Sequence, residues 1–187
     1  MSTTRTIKAV AGPLSAELVS KGITACDELL EWVKILPYGR NTSREQYQLV
    51  LTENKGTCST KHAFVKAVAL ENDWRDVDLY IGFFFMDSFL FPKLKEIFDP
   101  LKIEGIPEAH TFLVIDGEYT DVTGLSSPIN ENEIVDEIEI QPEGIGDLKV
   151  SIHKGFIEDW AEEEKINLPL DQLWTIREAC IVALSKD

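Results

Sequence analysis

Gly56-Thr57-Cys58-Ser59-Thr60-Lys61-His62 is the stretch that decides the expected fold, because a helix is predicted to begin there with Cys58 in its first turn. Apolar residues recur at helical spacing from Ala63 until Asn72-Asp73. Unpaired N–H groups and a partial positive charge at a helix start lower the pKa of a thiol, and Lys61 adds positive charge. A free cysteine is more often a buried apolar residue, but the polar neighbours of Cys58 favour a reactive thiolate.

The other two cysteines lie in apolar helical stripes and are predicted to be core residues. Cys26 belongs to the stripe Val19, Ile23, Cys26, Leu30, Val33, and Cys180 to the stripe Leu173, Ile176, Cys180, Leu184. The count of three cysteines is odd, so we expect no disulfide framework and a reducing compartment.

The composition is that of an ordinary globular protein, with 187 residues, 44% hydrophobic and 27% charged. We expect one domain over residues 1–187. The net charge of -15 disfavours nucleic acid and anionic membranes as partners. Met1–Lys8 has no apolar run typical of a signal peptide, and no 18-residue apolar segment follows, so the sequence predicts a soluble cytoplasmic protein.

Acidic residues without any Lys or Arg follow one another between residues 131 and 147. They are Glu131, Glu133, Asp136, Glu137, Glu139, Glu143 and Asp147. A solvated acidic surface is the simpler interpretation, and a docking face for a basic protein partner is the alternative.

The pattern before the cysteine is helical, and a strand is predicted after it. Segment 14–36 is predicted as one helix capped by Ser15, and a short helix is predicted from Ser43 to Asn54 with Gln46 in a capping box. Val77–Met86 is apolar on both faces, which is typical of a central buried strand.

The remaining segments carry weaker patterns. Segment 87–106 follows a phenylalanine-rich strand end and is interpreted either as a flap or cleft wall, or as core. Further predictions are a strand or short helix over Asn130–Ile140, a strand over Val150–His153, and helices over Gly155–Ile166 and Leu170–Leu184.

A hairpin is predicted around Asp116-Gly117, the favoured two-residue turn between β-rich runs. If Ile115 faces Glu118, paired positions sum to 233, and side chains alternate along each strand. His110 and Asp121 then become diagonal neighbours on one face, within reach of each other.

Cys58, His110 and Asp121 together supply the groups needed for nucleophilic acyl transfer. A thiolate attacks a carbonyl, a histidine carries the proton, and a carboxylate orients the imidazole. The backbone N–H of Cys58 supplies one oxyanion donor. A second donor is sought among four upstream amides, namely Asn41, Gln46, Gln48 and Asn54.

These residues resemble the transglutaminase-like superfamily. Gly56-Thr57-Cys58-Ser59, His110 at a strand start, and Asp121-Val122-Thr123 are similar to its cysteine, histidine and Asp-x-Thr elements. The resemblance covers about residues 37–124 and implies an α+β, papain-like core in which the nucleophile helix packs on an antiparallel sheet. Segment 14–36 and the C-terminal extension 125–187 add helices. The resemblance implies that Cys58 is the nucleophile, His110 the general base and Asp121 the orienting acid of a compact, bacterial-type member.

Three further residues are candidates for secondary site roles. His62 lies four residues after Cys58 and therefore on the same helical face, as an alternative base, a metal partner or a packing residue. Arg40 is either a ligand for a substrate carboxylate or a surface residue, and Lys61 supplies charge. We expect no metal and no cofactor, because Cys58 and His62 alone are too few ligands and no phosphate-binding or dinucleotide motif occurs.

Two functions remain open from the sequence. The first is cysteine-dependent acyl transfer from a peptide or small amide through a thioester at Cys58, with hydrolysis preferred because no amine site is evident. The alternative is a catalytically silent peptide-binding or scaffolding module of the same fold.

Overall fold

The computed structural model describes residues 5–126 and 128–184, so half of the Met1–Lys8 segment lies outside the described residues. In these ranges the chain forms seven α-helices and four strands. The helices are α1 Pro13–Ser20, α2 Cys26–Ile35, α3 Leu49–Glu53, α4 Cys58–Glu71, α5 Lys95–Phe98, α6 Asp147–Glu163 and α7 Leu170–Leu184. The strands are β1 Val77–Asp87, β2 Gly105–Ile115, β3 Glu118–Thr120 and β4 Asp136–Ile140. The predicted α+β class is therefore confirmed.

The sheet is antiparallel throughout and has the order β3-β2-β1-β4. β1 is its central strand, as its two apolar faces predict. In the β1–β2 register Gly82 pairs with His110 and Ile81 with Thr111. Because side chains alternate along a strand, His110 and Thr111 lie on opposite faces of the sheet.

The β2–β3 hairpin has the predicted register, with Ile115 opposite Glu118 and Leu113 opposite Thr120. Its turn residues Asp116 and Gly117 both have positive φ, at 54° and 82°, as a type I′ turn requires. β3 ends at Thr120, earlier than the predicted Thr123, so the chain leaves the sheet before Asp121. The part of β2 before Leu113 consequently has no β3 partner.

Two hydrophobic clusters hold these elements together. The first packs α4, through Phe64 and Val68, against Leu79 and Ile81 of β1. The second contains Phe84 and Met86 of β1 with residues of segment 87–106, α6 and α7, including Leu94, Phe98, Ile157, Leu173 and Cys180. Segment 87–106 thus contributes to the core, whereas Phe89 within it is exposed.

The N-terminal segment 14–36 forms two helices and not the single helix predicted. α1 ends at Ser20, and Gly22 has a φ of 84°, a conformation that interrupts a right-handed helix. Ser15 lies inside α1, where its hydroxyl and N–H bind the Glu71 carboxylate. The predicted helix from Ser43 begins only at Leu49, in α3.

The C-terminal extension differs most from the prediction. Val150–His153 is part of α6 and not a strand, while α7 agrees with the predicted Leu170–Leu184 helix. Within the predicted Asn130–Ile140 element, Asn130 caps a 3-10 turn over Glu131–Glu133. β4 supplies the strand that follows and pairs with β1.

The acidic segment lies along the open edge of β4 and into α6. Apart from Glu133, which is half-buried, its seven acidic side chains are exposed. A basic partner for this surface remains a prediction. Within the described ranges, no helix combines the length and apolarity needed to cross a bilayer.

Candidate active site

Cys58 is the first residue of α4, as predicted, and it is half-buried. Thr57 precedes the helix in an extended conformation, and its N–H donates to the Thr60 hydroxyl at 3.0 Å. The Thr60 hydroxyl in turn donates to Asn41 Oδ1 at 2.8 Å. Side chains from the first turn therefore fix the helix start, so the helix N-terminus lies at the thiol.

His110 and Asp121 are in direct contact, as the hairpin register predicts. His110 Nε2 lies 2.9 Å from Asp121 Oδ2, and Asp121 Oδ1 accepts the Thr123 N–H at 2.6 Å. Both members of the pair are buried, with side chains 7% and 8% exposed. Since Nε2 faces the carboxylate, Nδ1 is the ring nitrogen left for the thiol.

Cys58 meets His110 at the part of β2 that β3 leaves unpaired. The thiol interacts with the His110 side chain and with the backbone N–H of Thr111. The β2–β3 pairing stops at Leu113 and Thr120, so Thr111 has no partner on β3.

The electrostatic environment favours a thiolate and an imidazolium. Burial raises the pKa of Cys58, but the charge of Lys149 and the interaction with His110 outweigh it and bring the pKa to about 5. Burial lowers the pKa of His110, but its bonds to Asp121 and Cys58 outweigh it and bring the pKa to about 9. Burial would raise the pKa of Asp121, yet the hydrogen bond and the positive charge of His110 hold it well below its ordinary value.

Lys149 is a site residue that the sequence did not indicate. It lies on α6, it is buried at 9% exposure, and its Nζ donates to Ser59 Oγ at 2.9 Å and Thr111 Oγ1 at 2.7 Å. These two residues directly follow Cys58 and His110 in the chain. A single lysine that follows the acidic segment 131–147 gives no indication in the sequence that it lies beside Cys58.

Tyr38 places its phenol hydroxyl beside the Cys58 thiol. A parallel bridge joins Tyr38 to Gly56, with the Gly39 N–H donating to the Gly56 carbonyl at 3.0 Å. The phenol interacts with both the backbone N–H and the thiol of Cys58. Tyr38 as a whole is 46% exposed, but desolvation of its hydroxyl end and the Cys58 charge raise its pKa. Tyr38, and not one of the upstream amides, is therefore the side chain that places a hydrogen-bond donor beside the thiol.

The four amides considered from the sequence do not reach the thiol. The Asn41 side chain is occupied by Thr60, by Glu53 at 3.0 Å and by the Lys55 carbonyl at 3.0 Å. The others, Gln46, Gln48 and Asn54, are exposed.

His62 is fully buried and uses both ring nitrogens in backbone contacts. Nδ1–H donates to the Cys58 carbonyl at 2.7 Å, and Nε2 accepts the Val122 N–H at 2.8 Å. Burial lowers its pKa to about 3, so the ring is neutral. The alternative-base interpretation is therefore disfavoured, and His62 instead joins the nucleophile helix to the loop that carries Asp121.

Lys61 and Arg40 make their hydrogen bonds away from the Cys58 thiol and the His110 ring. Lys61 is buried and donates to the Leu36 and Thr123 carbonyls, both at 2.7 Å, and burial lowers its pKa to about 8. Arg40 is 61% exposed and pairs with Glu178 of α7 at 3.0 Å. A role for Arg40 in substrate binding remains a prediction.

The surface grooves of the described residues lie away from Cys58, His110 and Asp121. Grooves of about 570 and 350 Å³ flank α6, and neither is lined by Cys58, His110 or Asp121. In residues 5–126 and 128–184, no group of three His, Cys, Asp or Glu side chains is arranged to hold a metal ion.

Comparisons with protein-family models, with curated proteins and with solved structures found no match to this chain.

Proposed function

We propose that the protein is a cysteine-dependent acyl-transfer enzyme with a papain-like, transglutaminase-like core. The observation that carries the proposal is the chain of contacts from the Cys58 thiol, at a helix N-terminus, through His110 to Asp121. Nucleophile, proton carrier and orienting carboxylate are the three roles that thiol acyl transfer needs.

In the first half-reaction the Cys58 thiolate attacks the carbonyl carbon of an amide, and an S–C bond forms. The Cys58 N–H and the Tyr38 O–H donate to the oxygen that becomes negative. His110 then gives its Nδ1 proton to the amide nitrogen, the C–N bond breaks, and the amine leaves. The products are a free amine, a thioester on Cys58 and a neutral His110.

In the second half-reaction His110 takes a proton from water as the water oxygen attacks the thioester. The C–S bond breaks, the carboxylic acid leaves, and the thiolate and imidazolium are restored. An amine in place of water would give a transfer product by the same steps. Hydrolysis is the preferred outcome, because the described residues around Cys58 include no evident amine-binding group.

p-Nitrophenyl acetate tests the proposal, because its activated ester needs only a reactive thiolate and an oxyanion site. We expect native protein to release p-nitrophenolate and to carry an acetyl group on Cys58, located by peptide mass spectrometry. Cys58→Ala should lose both, His110→Ala should lose turnover, and Cys26→Ala is the matched control for removal of a thiol elsewhere. Glutamine peptides and small amides would then be screened for ammonia release.

Full turnover in Cys58→Ala would exclude the mechanism. A native Cys58 that titrates as an ordinary thiol and forms no acetyl-enzyme would favour the silent peptide-binding module, since binding alone gives no reason to lower a thiol pKa.

A further inference from the structure

Three buried lysines lie in or against α4, and they differ in which groups surround their charge. Lys66 is 5% exposed and donates to the Val77 carbonyl at 2.6 Å and to the Asp78 carboxylate at 3.1 Å. Lys61 is fully buried, donates to two carbonyls and feels the charge of Asp121. Each of these two ammonium groups therefore has a carboxylate near it.

Lys149 has a different set of partners. Within the described residues its Nζ is hydrogen-bonded to two hydroxyls, those of Ser59 and Thr111, and it forms no ion pair. Hydroxyls satisfy donors but do not neutralise a charge, and burying an unpaired charge is costly. A nearby anion would offset this cost.

The anion that the arrangement offers is the Cys58 thiolate. Ser59 Oγ accepts from Lys149 Nζ at 2.9 Å and lies 3.9 Å from Cys58 Sγ. Ser59 Oγ also lies 3.3 Å from Thr111 Oγ1. When Ser59 accepts from both the ammonium group and the Thr111 hydroxyl, its own proton points to sulfur. Thr111 acts in parallel, with its hydroxyl on Lys149 and its backbone N–H on the thiol.

Other charged or titratable groups also lie near Lys149. Glu108 of β2 is an anion that feels the charge of Lys149, but Arg177 of α7 binds it directly through two hydrogen bonds. His62 of α4 and His153 of α6 are both buried, and the positive charge of Lys149 favours their neutral forms. None of the three is an unpaired anion, which leaves the thiol.

We propose that Lys149 is the counter-ion of the Cys58 thiolate and acts on it through Ser59. This assignment rests on the proposed acyl transfer and makes the C-terminal helix α6 part of the site. Lys149 is a positioning residue, because it reaches the sulfur through another side chain. His110 is then not alone in stabilising the thiolate. Lys149 favours the ionised sulfur before it attacks the carbonyl and again when it leaves the thioester.

The test is the rate of Cys58 alkylation by iodoacetamide as a function of pH. The native midpoint is expected near pH 5. In Lys149→Met it should rise by about 1–3 pH units, the shift typical of losing an opposite charge at close range. Lys66→Met removes an equally buried lysine of α4 and should leave the midpoint unchanged. In His110→Ala the midpoint should stay below that of the double variant His110→Ala/Lys149→Met.

Ser59→Ala keeps the lysine and removes the hydroxyl between it and sulfur, so its midpoint should rise as well. It serves as the test variant if Lys149→Met does not fold. A native midpoint near 8.5 would overturn the acyl-transfer proposal itself. A low native midpoint that stays unchanged in folded Lys149→Met, or in Ser59→Ala where the first variant fails to fold, would overturn only the role of Lys149.

Discussion

Cys58 and His110 have pKa values in the reverse of their ordinary order. A free thiol titrates near 8.5 and a free imidazole near 6.5, so the two are rarely ionised together. Here the thiol is an anion above about pH 5. The ring is a cation below about pH 9.

Acyl transfer should therefore show a bell-shaped pH dependence of kcat/KM. The rate should rise through about pH 5 as the thiolate forms and fall through about pH 9 as His110 loses its proton. Asp121→Asn should move the alkaline limb to lower pH, because the carboxylate raises the pKa of His110. Steady-state kinetics across this range would check both limbs. One rise near pH 8.5 with no alkaline limb would contradict the ion pair.

His62 is expected to matter for stability and not for proton transfer. In His62→Leu the Cys58 carbonyl and the Val122 N–H lose a buried partner, which should lower the free energy of unfolding by about 1–3 kcal/mol. His62→Gln, which keeps a donor and an acceptor, should lose less. Urea unfolding measures this effect, and the alkylation midpoint of Cys58 should stay near its native value in both variants. A large shift of that midpoint would show that His62 participates directly.

The burial of His62 also makes the free energy of unfolding depend on pH. The folded-state pKa of His62, about 3, lies below the unfolded value of about 6.5. Unfolding therefore binds a proton as the pH falls below 6.5, and the protein loses stability between these two values. His62→Gln should reduce this slope.

At the scale of elements, the loop after Asp121 depends on a close backbone approach at Gly124. Its φ is 73°, and a Cβ built there would lie 2.0 Å from the Lys34 carbonyl oxygen at the end of α2. Gly117 in the hairpin turn also has positive φ, at 82°, but a Cβ there meets nothing within 4 Å. Both glycines therefore have a left-handed backbone conformation, but only at Gly124 would an added methyl group collide with a neighbouring residue.

Gly124→Ala should destabilise the protein more than Gly117→Ala. The left-handed conformation costs roughly 1–2 kcal/mol at each position. The collision with Lys34 adds about 1–3 kcal/mol at Gly124 alone. Urea unfolding of both variants gives the difference, and only Gly124→Ala should also slow acyl transfer, by displacing Asp121. Equal decreases in the free energy of unfolding of the two variants would mean that the loop shifts and avoids the collision with Lys34.

The elements nearest the proposed site were largely predictable. The Asp116-Gly117 turn sets the β2–β3 register, and that register brings His110 to Asp121 without any long-range information. The start of α4 was predicted because polar residues give way there to an apolar pattern. The break between α1 and α2 was missed because the apolar stripe continues across Gly22, although the backbone does not.

At the scale of the whole molecule, α6 shows why the remainder was not predictable. Its buried residues are spaced by four, and the first two of them, Lys149 and His153, are polar. Only Ile157 and Ala161 contribute apolar residues to the buried stripe, so the helix was predicted to start at Gly155 and not at Asp147. Lys149 binds Ser59, and His153 donates to the Pro107 carbonyl at 3.0 Å. The residues that hide the helical pattern are the ones that join the extension to the sheet and the site.

The α7 helix is attached to the sheet by a buried ion pair. Arg177 donates to both carboxylate oxygens of Glu108, at 2.6 and 2.5 Å, and its guanidinium lies 5.3 Å from the Trp174 ring centroid. Burial would raise the pKa of Glu108, but the bond to Arg177 holds it below its ordinary value. The carboxylate therefore depends on the arginine to remain charged.

Removing one partner should cost more than removing both. Arg177→Met leaves a buried, unpaired carboxylate and should lower the free energy of unfolding by about 3–5 kcal/mol at neutral pH. Glu108→Met/Arg177→Met removes both members of the buried pair and should recover much of that loss. Arg40→Ala, at the exposed pair with Glu178, should cost less than about 1 kcal/mol. Urea unfolding at neutral pH ranks the three variants.

The dependence on pH separates a lost charge partner from lost packing. In the native protein the Glu108–Arg177 contribution is present above the ordinary glutamate pKa of about 4.3 and is lost as the pH falls. In Arg177→Met the main opposition to burial is lost, the pKa of Glu108 rises, and the folded state takes up a proton that neutralises the buried charge. The stability deficit of Arg177→Met should therefore shrink as the pH is lowered from neutral towards 4.3. A deficit that does not change with pH would show that Arg177 acts only through its packing on Trp174.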